Sequence, residues 1–196
     1  MGIKRFIKDI FSPVLSDRTI RKYMEKGLLI TTPLTENQYQ PNSVDLTLGN
    51  TFKTIESNAE CFKANCVDTK REIIYTSGKI LKSYIIEPGE FVLMASNEIL
   101  NIPNGIIAFV QGRSSIARLG IQTEQAGLID AGFNGTITFE VFNQSKHNIV
   151  LYPGMRIAQV YFFKAQEAQV LYGEKNKYNG QLSATGSKIN NDPELK

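Results

Sequence analysis

Apolar positions near the amino end fall at helical spacing. Ile3, Phe6, Ile7, Ile10 and Phe11 interleave with Lys4, Arg5, Lys8 and Asp9, which predicts a short amphipathic helix packed on the body of the protein. The segment lacks the continuous apolar core of a secretory signal. Pro13 ends it. Ser16 or Asp17 can cap a second helix over about Arg18 to Lys26, with Ile20, Tyr23 and Met24 inward and Gly27 as its stop.

Beyond Gly27 the helical period disappears. Short β-branched and aromatic runs predict strands over Ser43 to Leu48, Glu72 to Tyr75, Phe91 to Ala95, Ile106 to Gln111, Thr136 to Phe142, Asn148 to Tyr152 and Arg156 to Phe163. Turn signals separate them at Pro88-Gly89, Pro103-Asn104-Gly105 and Pro153-Gly154. This spacing indicates a sandwich or closed β architecture, not alternating βα units. Thr136 to Phe142 alternates cleanly: Thr136, Thr138 and Glu140 share one face, and Ile137, Phe139 and Val141 the other. Glu140 therefore stands on a polar strand face, where a carboxylate can either work in a cleft or simply meet solvent. From about Gly173 the chain turns rich in Asn, Gly, Ser and Lys and reads as an arm or tail.

Composition narrows the function. The 196 residues suit one domain with an appended arm, and 42% apolar with 21% charged residues is globular. No apolar run reaches the ~18 to 20 residues of a transmembrane helix. Lys+Arg 22 against Asp+Glu 19 is too even for a nucleic-acid footprint, although a local cluster can still meet a few phosphates. Cys61, Cys66 and a distant His147 cannot supply the roughly four ligands of a structural zinc site. The two thiols fit a reducing compartment, here the cytoplasm. His147 lies in a polar turn, a poor place for a rigidly held base.

Two segments carry the chemistry. Gln111-Gly112-Arg113-Ser114-Ser115-Ile116-Ala117-Arg118-Leu119-Gly120 places a glycine, two hydroxyls and two arginines after an apolar strand. Arginine forks and backbone N–H groups bind phosphate oxygens, and a solvated turn with two surface arginines has the same composition. Ala126 to Gly135 sets Asp130 among apolar and glycine-rich residues. That aspartate either closes an Asx-type turn or accepts from a ligand hydroxyl, with Phe133 stacked on a flat ring.

The order of these pieces, taken with others, resembles the deoxycytidine triphosphate deaminases of the dUTPase-like superfamily. The resemblance runs from about Leu15 to Asn190. It rests on Leu15-Ser16-Asp17, Pro41-Asn42-Ser43-Val44-Asp45-Leu46-Thr47-Leu48-Gly49, Glu87-Pro88-Gly89-Glu90-Phe91, Gly112 to Gly120, Ile129 to Glu140, Lys177-Tyr178-Asn179-Gly180-Gln181 and Ser187-Lys188-Ile189. It implies a mostly β, distorted jelly-roll or β-clip dUTPase-like fold with short N-terminal helices. It leaves residues 1–14, expected to be helical from their spacing, as an N-terminal extension, and implies a β domain over 15–172 and an arm over 173–196 that closes over the active site. The implied assembly is a homotrimer with interface active sites, with neither nucleic acid nor membrane as partner.

The implied reaction is dCTP plus water to dUTP plus ammonia, with Mg2+ carried on the triphosphate and no zinc. Glu140 would be the general acid/base, and Arg118 would hold its carboxylate. Ser114 and the Ala126 carbonyl would position the water. Arg113, Ser115 and the backbone of the loop through Ile116 and Ala117 would meet phosphates. Asp130 would take the sugar 3′-hydroxyl above Phe133, and Thr138 and Phe139 belong to the base-binding strand. Gln159, Tyr172, Lys177 and Gln181 would reach the nucleotide, the last three clamping phosphates from the arm. Gln122-Thr123-Glu124-Gln125-Ala126 departs from the family's His- and Thr-containing stretch. Gln125 stands where the family's threonine is tied to dTTP inhibition, which leaves dTTP open as an inhibitor. The deaminase is the first reading; a dUMP-forming bifunctional enzyme, a dUTP diphosphatase and a non-catalytic nucleotide sensor are the alternatives.

Overall fold

The helix expected after Ser16 forms as α1 (Asp17–Met24), with Ile20 buried and Gly27 in the left-handed region at φ +71 where the chain leaves it. A computed structural model describes residues 12–56, 62–63, 66–173 and 175–195. The helix expected over Met1 to Phe11, and Cys61, lie outside these. A second, one-turn helix is α2 (Ser114–Ala117). The strands are β1 (Leu29–Ile30), β2 (Tyr39–Gln40), β3 (Ser43–Ile55), β4 (Phe62–Lys63), β5 (Cys66–Val67), β6 (Tyr75–Lys79), β7 (Tyr84–Ile86), β8 (Phe91–Asn101), β9 (Ile106–Gly112), β10 (Ile121–Gln122), β11 (Leu128–Ile129), β12 (Asn134–Asn143), β13 (Ile149–Leu151) and β14 (Arg156–Lys164).

One sheet runs in the order β10-β12-β8-β3-β14-β9-β11, with β1 beside β8 and with β2 and β6 beside β3. The long β3 joins its two halves. Val44 to Thr47 pair with β14, whereas the stretch from Leu48 onward pairs with β8 and β6. At the change of partner, Gly49, Asn50 and Thr51 oppose Ala95 alone. A Cβ on Gly49 would stand 2.8 Å from the Ala95 carbonyl oxygen, so only glycine permits this approach. The expected strand at Glu72 to Tyr75 instead spans Tyr75–Lys79, an unpromising Tyr-Thr-Ser-Gly-Lys run. Pairing with β3 decides its conformation, and Gly78 lies flat against the Phe52 ring.

The alternation of β12 holds over its second half. Phe139 and Val141 are fully buried, and Glu140 between them is not. The first half departs from it. Between Thr136↔Ile99 and Thr138↔Ala95, residues Ser96, Asn97 and Glu98 of β8 face Ile137 alone. Thr136 is thereby buried rather than open. The displaced Ile137 N–H donates to Ser96 Oγ at 2.9 Å, and Ser96 Oγ donates to the Glu98 carbonyl at 2.8 Å.

Glu98 itself is only 3% exposed. Its carboxylate accepts from Gln38 Nε2 (2.8 Å), Thr47 Oγ1 (2.6 Å) and the Thr47 N–H (2.8 Å). Charge-assisted bonds of this kind satisfy a buried carboxylate without a cation. They tie β8 to β3 where both strands are irregular. Glu98→Ala should lower unfolding stability by about 3 kcal/mol, because it leaves buried donors unpaired. Urea denaturation of the variant checks this, and an unchanged midpoint would show the network to be dispensable.

Candidate active site

The bulged end of β12 opens onto a cavity of about 350 Å³, within the range of small-molecule sites. Its walls are largely apolar, with Leu93, Val110, Ile129, Phe133 and Ile137 among them. Glu140 and Asp130 bring carboxylates to it, and Thr138 a hydroxyl. Glu140 Oε2 accepts the Gln125 backbone N–H at 2.9 Å, which leaves Oε1 for a ligand or water. The bond comes from the backbone, so the departure at Gln125 leaves it intact.

The segment carrying Gln125 and Ala126 is pinned from behind. Val110 N–H donates to the Gly127 carbonyl at 2.8 Å, and a Cβ on Gly127 would stand 2.4 Å from the Val110 carbonyl oxygen. Asp130 follows β11 in a loop docked on Ile102: Gly132 N–H donates to the Ile102 carbonyl and Ile102 N–H to the Phe133 carbonyl. The Asp130 carboxylate takes no hydrogen bond among the described residues, so the Asx-turn alternative does not hold. Phe133 is buried in the cavity wall, 5.8 Å centroid to centroid from Tyr172.

The chain beyond Gly173 crosses this opening. Gln181 Nε2 donates to the Thr136 carbonyl at 2.7 Å, and Thr136 N–H donates to the Gln181 carbonyl at 2.8 Å. Tyr178, Gln181, Thr185 and Gly186 line the cavity. Gln181 Oε1 is buried without a hydrogen-bond partner among the described residues. It offers an acceptor, where a phosphate would need a donor. Lys177 points elsewhere, to Asp192 Oδ1 at 2.5 Å, a contact that raises its pKa.

The Arg-Ser loop forms a separate group. Arg113, Ser114 and Gln159 line a second cleft of about 410 Å³ with Asp45 and Tyr161. Asp45 is 1% exposed, and its Oδ2 meets Arg113 Nε at 3.1 Å and Arg156 Nη1 at 3.0 Å. Burial pushes the Asp45 carboxyl up, and the two guanidiniums oppose the shift. Ser115 and Arg118 are exposed on α2 and just after it, away from the Glu140 cavity within one chain. Ala117 lines a neighbouring cleft with Gly112 and Gln144. Ile116 and Phe139 turn into the core, so any ligand they meet is reached through their backbone.

The structure thus brings together Glu140, Ala126, Asp130, Phe133, Thr138, Tyr172 and Gln181 in one cavity. It groups Arg113, Ser114 and Gln159 in another. Sequence reasoning missed Glu124, Tyr178, Thr185 and Gly186 in the first, and Asp45 as anchor of the second. An acidic residue inside the apolar run Val44-Asp45-Leu46 was the available signal for Asp45, because a buried carboxylate demands a partner.

Comparisons with known proteins identify the family and the fold. The family model for dCTP deaminase-like proteins matches residues 14–165. A protein of Sulfurihydrogenibium sp. named dCTP deaminase, dUMP-forming, is 42% identical over 183 residues, covering 90% of this chain and 97% of that one. A protein of the same name from Coprothermobacter proteolyticus is 43% identical over 182 residues, with 90% and 96% covered. The 2′-deoxycytidine 5′-triphosphate deaminase structure from Agrobacterium tumefaciens superposes with a TM-score of 0.64 at 24% identity over 79% of this chain. This chain spans about half (49%) of that one, and the likeness shows that the two share a fold, mostly β in this chain.

Asp45→Ala should cost about 2 kcal/mol in a urea melt. That is less than the ~3 to 5 kcal/mol for breaking a fully buried pair, because Arg113 and Arg156 reach solvent. No loss of stability would mean the two arginines hold their places without Asp45.

Proposed function

The chain belongs to the dCTP deaminase-like family, and from that membership we propose that it converts dCTP to dUMP, releasing ammonia and diphosphate. The observation that carries this reading is the pair of carboxylates, Glu140 and Asp130, in one largely apolar cavity. Deamination needs one acid/base; hydrolysis of the α–β phosphoanhydride needs a second activated water. The sequence reading put release of dUTP first and kept the dUMP-forming enzyme as an alternative. Relatives named dUMP-forming favour that alternative, and Asp130 stands in the cavity to serve it.

In the first step water adds to C4 of cytosine. Glu140 takes a proton from that water and passes it to the ring nitrogen, then helps protonate the departing amine as the C4–N bond breaks. Such acid–base help is worth roughly 10²- to 10⁴-fold. The Gln125 N–H fixes the carboxylate, and the Ala126 carbonyl beside it orients the water. In the second step water attacks the α-phosphorus and diphosphate leaves, with Asp130 as base near the sugar. The substrate is the magnesium complex of the triphosphate, so its divalent cation arrives with it. Phe133 beneath the sugar favours deoxyribose.

Arg113, Ser114, Ser115, Arg118 and Gln159 serve a site on a neighbouring copy. What supports this is an apolar face between the two half-sites. Phe109 is 41% exposed and Leu128 54% exposed there. A groove with Phe163 and Tyr161 shares Val110, Glu124 and Gly127 with the Glu140 cavity and Tyr161 with the Arg113 cleft. A homotrimer would cover this face and complete three sites at once.

Chromatography of the products of dCTP turnover tests the reading. Ammonia, diphosphate and dUMP should appear in equal amounts. Accumulating dUTP would reduce the activity to deamination alone, and silence with dCTP and dUTP would favour the sensor alternative. Glu140→Gln should lower ammonia release by about 10²-fold or more while nucleotide still binds. Near-normal turnover would remove Glu140 from this role.

A further inference from the structure

Three strands of the sheet, β3, β12 and β6, each offer a hydroxyl to the backbone of the arm. Ala184 N–H donates to Thr51 Oγ1 on β3 at 3.1 Å. Thr185 N–H donates to Thr138 Oγ1 on β12 at 3.2 Å, and Ser187 N–H donates to Tyr75 Oη on β6 at 2.9 Å. Thr138 belongs to the cavity wall; Tyr75 does not line the cavity. The Tyr75 ring nevertheless decides where the arm can run. Gly186 is buried flat against it, and a Cβ at Gly186 would fall 2.2 to 2.7 Å from three ring carbons. Lys53 Nζ stands 5.9 Å from the ring centroid. Thr185 and Gly186, the residues held in this way, are themselves part of the cavity wall.

We infer that Tyr75 is a positioning residue: it latches the arm in the closed path over the Glu140 cavity and so sets how firmly nucleotide is retained. The inference rests on the nucleotide reading above. The ring is a flat platform that only a glycine can cross at this distance, and the hydroxyl fixes the next N–H. The wall at Thr185 and Gly186 is then present in the same form in the ground state and in the transition state. Loosening it removes uniform binding, which appears in KM rather than kcat. Tyr75 lies on a strand that owes its conformation to β3, so the latch joins a peripheral strand to the cavity.

The test uses the full chain and the variants Tyr75→Phe, Tyr75→Ala, Gly186→Ala and the Tyr75→Ala/Gly186→Ala double variant. Steady-state kinetics with dCTP are paired with tryptic cleavage at Lys188, with and without α,β-imido-dUTP. Loss of one neutral hydrogen bond in Tyr75→Phe should raise KM about fivefold with little change in kcat. Tyr75→Ala should raise KM by about tenfold or more and speed cleavage at Lys188 with or without the analogue. Gly186→Ala should match it, because the added methyl cannot fit under the ring. The double variant should be no worse than Tyr75→Ala, since the obstructing ring is gone.

KM and cleavage rates for Tyr75→Ala within about twofold of the unmodified chain would overturn the latch, as would additive losses in the double variant. Should Tyr75→Ala fail to fold, Tyr75→Phe and Gly186→Ala decide the matter by the same two readouts. Cleavage of the nucleotide-free chain reports on the latch alone. Failure of the analogue to protect the unmodified chain would count against nucleotide binding, not against Tyr75.

Discussion

The register irregularity between β8 and β12 is the constraint on which the site depends. Two regular antiparallel strands would have carried the alternation of β12 unbroken past Thr136. Three residues of β8 opposite Ile137 break it, and Ile137, Thr138 and Glu140 then border one cavity while Phe139 and Val141 stay in the core. Such an irregularity would leave backbone groups unpaired unless side chains replaced the ladder bonds. Ser96 does so for Ile137, and the Glu98 carboxylate does so for Thr47 on the other side. The polar network in the middle of an apolar sheet is thus what the active-site geometry costs the fold.

The second organising feature is the separation of the polar groups into two clefts. The carboxylates gather in the cavity under the arm, and the phosphate-type donors gather around Arg113. Arg113 is held by Nε to Asp45 and by Nη1 to the Arg156 carbonyl, and it borders the second cleft. An arginine locked in this way loses little freedom on meeting an anion. Exposed Phe109 and Leu128 between the clefts give a neighbouring copy an apolar surface to cover. In the proposed assembly, anchored arginine and bulged strand are rigid parts made separately and joined at an interface.

Much of this was legible in the sequence, where local pattern carries the information. Strand runs bounded by Pro-Gly and Asn-Gly turns were placed, and the alternation around Glu140 aimed the carboxylate correctly. α1 and its Gly27 stop also followed from local rules. What was not legible depends on distant pairing. Nothing in Tyr75-Thr76-Ser77-Gly78-Lys79 announces a strand until β3 lies beside it. Thr136 was read as open and is buried, because the bulge that turns it sits on β8, about forty residues away. Nothing local marks Glu98, and its partners, Gln38 and Thr47, come from two distant segments. The resemblance supplied the remaining roles, and the structure shows which of them one chain can assemble alone.

The account stands or falls on where the pyrimidine lies. A crystal structure of the Glu140→Gln variant with the dCTP–magnesium complex measures this directly. It should place C4 and its amine within about 3.5 Å of the residue 140 side chain, a near-attack separation. The sugar should lie on Phe133, and the triphosphate should meet Arg113 of an adjacent copy. A base lying outside the cavity, or a residue 140 side chain turned away from C4, would contradict it.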